Sequence, residues 1–276
     1  MVRRVAEGAA HTLAIRAASG LALAAVTFAA VYFGHPYFNL LIAAGAAALA
    51  WEWVKLCGGS VPGARFILLL SSVLAVVGVA SYSGAEAALA LVAFSAGALL
   101  GWEWLRGPER RGWLAFGALY IGLPALAYIA IASDPLWGRA TIFWIFFAVA
   151  ATDIGAYFCG RGIGGPKIAP SISPNKTWAG LIGGIAASMA VGAAAAAFWL
   201  GQPLWPLIGL SAVLAVVSQA GDFFESSVKR KFGVKDSSAI IPGHGGLFDR
   251  VDGHIAAAAS VAAANWASGS SVLTWR

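Results

Sequence analysis

The chain is poor in charge and in cysteine. Only 11% of its 276 residues are charged, 18 basic and 12 acidic, against 60% hydrophobic and a mean hydropathy of +0.79. Soluble domains carry about 25% charged residues, so composition excludes one here. The two cysteines, Cys57 and Cys159, have neither metal-ligand spacing nor partners for a disulfide framework, and read as packing residues. Alternation of polar and apolar residues is missing too, which excludes strands crossing a membrane as a barrel. The glycine-rich stretch "GRGIGGPK" (160–167) lacks the GK[ST] ending, so Walker-type ATP hydrolysis has no support.

What is present is a series of apolar runs, each about 17–23 residues, the length of a helix that crosses a bilayer. They place spans at 15–33, 38–54, 66–82, 87–105, 113–132, 140–158, 178–200, 204–222 and 254–270. The expected fold is all-α, a polytopic integral membrane helical bundle of about nine transmembrane helices. The first run exceeds the 7–15 residues of a signal-peptide core and is followed at once by another span, so it reads as an uncleaved helix.

Lys and Arg set the orientation. Arg3, Arg4 and Arg16, then Lys55 and Arg65, then Arg106, Arg110 and Arg111, then Arg161, Lys167 and Lys176, then Lys229, Arg230, Lys231, Lys235 and Arg250 fall on one side, 16 of the 18 basic residues. Only Arg139 and Arg276 fall on the other. The positive-inside bias makes that first side, with the N-terminus, cytoplasmic. The net charge of +6 is then mostly this bias and needs no nucleic-acid partner; the remainder suits anionic headgroups or phosphates.

The chain divides by content. Residues 1–140 read as structural helices with lipid or dimer surfaces. Residues 141–276 carry the chemistry in two long loops, 159–177 and 223–253, longer than ordinary connections. One echo links the halves of the first region: "ALAWEWVK" (48–55) and "LLGWEWLR" (99–106). Glu52 and Glu103 each have a base three residues on, Lys55 and Arg106, and the expected arrangement is a pair on one helix face. A role near a ligand is the alternative. Small-residue pairs, Gly97/Gly101 and Gly180/Gly184, are expected to pack helices within or between chains.

Polar groups gather in three clusters, Asp153–Thr177, Asp222–Arg230 and Lys235–Asp252. The 31 residues from Asp222 to Asp252 hold 10 of the 30 charged side chains. Asp222 ends an apolar run, and Asp249 and Asp252 precede the next. Closing the loop brings these acids together at the membrane surface, and oxygen-rich acidic sites suit Mg²⁺ held with substrate phosphates. The plainer reading pairs Asp249 and Asp252 with Arg250 and Lys235. Lys229, Arg230, Lys235 and Arg250 around the acids favour a metal–polyphosphate complex over a bare cation, since both signs of charge are wanted there. "GHGG" brings backbone N–H groups close to an anion. His244 reads equally as general base, phosphate donor or loop hydrogen-bonder. In "SISPNKTWAG" (171–180), Ser173, Lys176 and Thr177 offer donors at a helix start, where free N–H groups favour anions; an ordinary N-cap is the plainer account.

The run "SVKRKFGVKDSSAIIPGHGGLFDRVD" (227–252) resembles the signature of CTP:phosphatidate cytidylyltransferases, the CDP-diacylglycerol synthases. Ser227, Lys229, Arg230, Lys235, Asp236, Pro242, His244, Gly245, Gly246, Asp249, Arg250 and Asp252 stand where that signature wants them. "SPNKTWAG" and "DIGAYFCGR", with Asp153, resemble further segments of the same family. The resemblance spans 153–252. It implies transfer of the cytidylyl group of CTP to phosphatidate, releasing pyrophosphate, with Mg²⁺, a second metal ion left open, and a homodimer by analogy. It implies an inner-membrane enzyme of bacterial phospholipid synthesis whose site faces the cytoplasm.

On that reading Asp222 and Asp249 are the leading metal ligands, with Asp252 and Asp153 behind them. Lys176, Lys229, Arg230, Lys235 and Arg250 hold phosphates, while Ser173, Thr177 and His244 orient them. Asp236, Gly245 and Gly246 complete the substrate-binding set, and Asp222, Asp249, Lys235, His244 and Arg250 the catalytic one. Transfer between phosphates needs positioning and charge neutralisation more than a protein nucleophile, which agrees with the lack of a Ser–His or Cys–His unit. A CTP-using polyprenol kinase is the nearest rival. A CDP-alcohol phosphotransferase lacks its DG…AR…G…D…D series here, and a transporter would bury acids mid-span.

Overall fold

The computed structural model describes residues 2–57, 59–106, 112–201 and 203–275. Arg110, Arg111 and Arg276, used above for orientation, lie outside the described residues. Nine α-helices follow one another among those described: α1 (Val2–Phe33), α2 (Tyr37–Leu56), α3 (Ala64–Tyr82), α4 (Ala85–Arg106), α5 (Trp113–Ala132), α6 (Gly138–Gly162), α7 (Trp178–Ala194), α8 (Leu204–Lys231) and α9 (Phe248–Ser268). A π-helical turn, Ala195–Leu200, extends α7. Helix is the form that satisfies every backbone group within one segment, which hydrocarbon surroundings demand. Seven of these helices are long and apolar enough to cross a bilayer; α1 adds a shorter apolar stretch, Ala18–Phe33. The protein is a polytopic helical bundle.

Two expectations about the loops are corrected. The segment 223–231, expected as loop, continues α8 as helix, so the connection to α9 is only 232–247. Lys229, Arg230 and Lys231 occupy its last turn, where cations oppose the helix dipole favourably. The segment 159–177 is also partly ordered. Helix α6 runs to Gly162, and an antiparallel hairpin follows, β1 (Lys167–Ala169) with β2 (Ser173–Thr177), pairing Lys167 with Thr177 and Ala169 with Ser173.

Helix α5 is the central pillar, with twelve buried positions from Leu114 to Ile131. At its site end Trp53 of α2 is 1% exposed, donates through Nε1 to the Trp113 carbonyl at 2.8 Å and stacks on Tyr120 at 5.6 Å between centroids. Phe116, Phe224 and Phe248 join this cluster and lock α2, α5, α8 and α9 together. Helices α6 and α7 cross closely: a side-chain carbon at Gly184 would stand 2.8 Å from the Thr152 carbonyl, and one at Gly180 2.9 Å from that of Ala156. Gly180/Gly184 therefore packs within the chain, while Gly97 and Gly101 face open space.

The echoed acids do not pair with the bases three residues on. Lys55 lies over the Trp51 ring at 4.4 Å, and Arg106 over Trp102 at 5.1 Å, each four residues back on its helix. Glu103, 3% exposed, instead accepts from the N–H groups of Gly112 at 2.9 Å and Leu114 at 3.1 Å. It satisfies donors that the first turn of α5 leaves free. Glu52 does the same for a more distant helix.

Candidate active site

The continuation of α8 creates the site. Asp222, Glu225 and Lys229 are spaced three and four residues apart and so share one face. Asp252, in the opening turns of α9 ahead of its apolar run, completes a cluster. Ligand oxygens of Asp222, Glu225 and Asp252 all lie within 4.8 Å of one another. Lys229 bridges Glu225 Oε2 at 2.6 Å and Asp249 Oδ1 at 2.7 Å. From the hairpin, Lys176 reaches Asp222 Oδ2 at 2.5 Å and sits over the Phe223 ring at 4.3 Å. Asp153 of α6 accepts from Gln219 Nε2 at 3.3 Å. These groups line one cavity of about 510 Å³, together with Thr177, Asp236, Asp249 and Arg250.

The acidic cluster suits a hard divalent cation. Its donors are all carboxylate oxygens, and Glu225 Oε1 is buried with no hydrogen-bond partner. Burial, and next the Asp222 charge, push the Asp252 carboxyl above the usual carboxylate range. A divalent cation would relieve the same crowding of like charge.

Asp249 has different company. Its Oδ2 accepts from the N–H of Gly246 at 2.9 Å and from the N–H and hydroxyl of Ser237, both at 3.1 Å. Burial works to raise its carboxyl, but its polar partners, the Lys229 ammonium first among them, prevail and hold it below the usual range. Asp249 thus ties the loop to α9 and faces the cavity, outside the three-acid cluster.

Behind Asp249 stands Glu52, fully buried near the end of α2. It accepts from the N–H groups of Leu247 at 2.8 Å and Phe248 at 2.6 Å, from the Ser237 hydroxyl at 3.3 Å, and from the Ser238 hydroxyl. One carboxylate therefore satisfies the first donors of α9 and pins the loop before it. A side-chain carbon at Gly246 would fall 2.6 Å from Glu52 Oε1, which is why the loop carries glycine there. Gly245 adopts φ +83°, a left-handed conformation that also favours glycine.

Other sequence-derived candidates lie elsewhere. Thr177 caps α7, accepting from the Gly180 N–H at 3.1 Å, as the plainer reading has it, and also faces the cavity. Ser173, Arg230, Lys235 and His244 are not among the cavity-lining residues. Arg230 donates to the Val234 carbonyl at 3.0 Å, closing the end of α8. Lys235 is exposed. The His244 Nδ1 lies 2.9 Å from the Ser19 hydroxyl of α1, which also donates to the Pro242 carbonyl at 3.1 Å. Asp249 pairs with Lys229 and not with Lys235. Three residues that sequence reasoning left outside the site stand in it or hold it, Glu225, Gln219 and Ser237, and Glu52 holds it in line with the alternative reading of the echoed acids. Of the three, only Glu225 carried a signal, its spacing three residues after Asp222.

The profile of the cytidylyltransferase family matches residues 14–267. The chain is 40% identical over 252 residues to the phosphatidate cytidylyltransferase of Brucella suis, covering 90% of this chain and 91% of that protein. It is 38% identical over 246 residues to the protein of the same name from Pseudomonas aeruginosa, covering 84% and 89%. A 134-residue stretch is 42% identical to the Staphylococcus aureus phosphatidate cytidylyltransferase, 48% of this chain and 50% of that one. The chain belongs to the cytidylyltransferase family and is an enzyme of that family.

Proposed function

We propose that this cytidylyltransferase-family member transfers the cytidylyl group of CTP to phosphatidate, forming CDP-diacylglycerol and pyrophosphate. The observation that carries this reading is the meeting of acids and bases in one cavity at the helix ends. Asp222, Glu225 and Asp252 meet Lys176, Lys229 and Arg250 around about 510 Å³. The lipid phosphate oxygen attacks the α-phosphorus of CTP, the bond to the bridging oxygen of the β-phosphate breaks, and pyrophosphate leaves. Lys176 holds CTP phosphate oxygens and neutralises charge as it shifts to the leaving group, and Arg250 holds oxygens of the lipid phosphate. Lys229, fixed between Glu225 and Asp249, keeps α8 and the loop in register. Asp222, Glu225 and Asp252 would hold Mg²⁺, which would supply further neutralisation of the polyphosphate. Asp153 and Asp249 are outer partners of that acidic set. Binding geometry, not a protein nucleophile, lowers the barrier.

The chain spans a bacterial inner membrane nine times with its N-terminus and site in the cytoplasm, where CTP arrives from water and phosphatidate presents its headgroup. Residues 1–140 form the scaffold half and 141–276 the catalytic half, with Ser19 and Glu52 reaching across. The functional unit is a homodimer.

The test is a product assay on purified protein with CTP, phosphatidate and Mg²⁺, beside Asp222→Asn. The expected result is CDP-diacylglycerol plus pyrophosphate, reduced at least ~100-fold in the variant, a loss of about 2.7 kcal/mol in transition-state stabilisation. CDP with a phosphorylated alcohol, when polyprenol or diacylglycerol is offered, would replace this reading with a kinase.

A further inference from the structure

A second cavity, of about 340 Å³, opens among α1, α2, α5, α6 and α9, and it is apolar. Phe38, Gly45, Tyr128 and Phe146 are among its walls, and two polar residues of α9, Arg250 and His254, stand along one side. Arg250 also lines the acidic cavity, so the two spaces meet at its side chain. Its Nε donates to the His244 carbonyl at 2.9 Å, which holds the guanidinium at that boundary. The Nε2 of His254 is buried without a hydrogen-bond partner, an arrangement that proteins avoid unless something else supplies one. The His254 ring packs against Phe146 at 5.3 Å between centroids.

These features have the spacing of a glycerophospholipid. Arg250 and His254 are four residues apart, one turn of α9, a rise of about 6 Å. The glycerol backbone spans a comparable interval between a lipid's phosphate and its ester carbonyls. Beyond His254 the walls carry only apolar and weakly polar groups. From Leu49 back to Phe38 the α2 wall runs about 16 Å. The volume is near the lower bound for small-molecule pockets, roughly 300 Å³, which suits one hydrocarbon chain and not two.

We propose that this cavity seats one acyl chain of the lipid substrate, with His254 Nε2 donating to that chain's ester carbonyl and Arg250 on the lipid phosphate. The proposal rests on the phosphatidate reading above and adds where the lipid lies. The second chain stays in the bilayer. Gly45 gives the means to test it, because a side-chain carbon there meets nothing within 4 Å. Gly45→Phe fills the cavity without displacing a neighbour at its first carbon, and Gly45→Leu does so to a smaller degree.

Activity is measured with dioleoyl, dihexanoyl and ether-linked phosphatidate. Gly45→Phe is expected to raise KM for dioleoyl phosphatidate at least ~10-fold and leave KM for CTP and turnover of dihexanoyl phosphatidate unchanged. His254→Leu is expected to raise KM ~5-fold for the ester-linked lipid and not for the ether-linked one, a distinction that mere loosening of α9 would not produce. Independently of turnover, a phosphatidate with a diazirine near one acyl terminus is photolysed with the protein in phosphatidylcholine nanodiscs. Label is expected on α2 and α5 at the cavity walls, and Gly45→Phe should abolish it. Phosphatidylcholine carrying the same diazirine should not label these walls. Equal responses to long and short chains, label on outer surfaces alone, or equal label from phosphatidylcholine would overturn the proposal. Failure of the wild type to form any CDP-lipid, with wall labelling intact, would count against the reaction and leave the lipid seat standing.

Discussion

"WEWVK" at 51–55 and "WEWLR" at 102–106 build one device twice, at very different reach. In each, a base lies over the tryptophan four residues before it, and a buried glutamate turns inward to cap a helix. Glu103 caps the next helix along, accepting from Gly112 nine residues later. Glu52 caps α9, accepting from Phe248 after a separation of 196 residues, and gathers Ser237 and Ser238 as well. The chemistry of the two motifs is equal. Their consequence differs because the fold sets an ordinary helix start above one and the loop beside the acidic cavity above the other.

The largest expected effect comes from breaking the Glu52 end. Glu52→Ala leaves two backbone N–H groups and the Ser238 hydroxyl without their acceptor in a buried place, while the Ser237 hydroxyl keeps Asp249, and each unsatisfied group costs about 1–3 kcal/mol. Activity should fall more than ~100-fold. Glu52→Gln, which keeps one oxygen but turns a donor toward donors, should fall ~10–100-fold in kcat, with KM for CTP nearly unchanged. Steady-state kinetics on detergent-purified protein read both. Next comes Glu103→Gln, which should lower the melting temperature by a few degrees, from a loss of about 1–2 kcal/mol, and leave kcat within ~2-fold. Equal loss of activity at Glu103 and Glu52 would erase the distinction between the two motifs. The smallest effect belongs to Lys55→Ala and Arg106→Ala. Both side chains are exposed, and exposed cation–π contacts are worth about 0.5–1 kcal/mol, so thermal stability and activity should stay near the wild type in each.

How far all this was legible in the sequence follows from the range of the interactions. The helices were readable because an apolar run is local: the expected span 113–132 coincides with α5, and 66–82 begins two residues inside α3. The signature residues were readable as a group because they are close in sequence. Glu52's partners were not, because nothing in the neighbourhood of residue 52 encodes a loop near residue 237. The base three residues on offered a nearer partner, and a tryptophan four residues back took it instead. The overhang of α8 was hidden for a different reason. A charged run after an apolar one reads as a loop leaving the membrane, although Glu225 and Lys229 at helical spacing hold it as helix. The hairpin was obscured by Pro174 and the neighbouring glycines. His244 stood in the signature, but its contact with Ser19 depends on where α1 docks, which composition does not specify.

The unbroken helix from Leu204 to Lys231 has a consequence for which length changes the chain can tolerate. Each residue turns a helix by about 100°. One residue inserted between Leu204 and Ala220 would leave the apolar part anchored where it is and swing Asp222, Glu225 and Lys229 about a quarter-turn away from Asp252. The connections at 59–63 and 133–137 carry no such phase and can lengthen or shorten with only local effect. Across related chains, insertions and deletions should therefore collect in those connections and spare α8, an accounting of gaps in which the helix acts as an uninterruptible ruler between the bilayer and the acids.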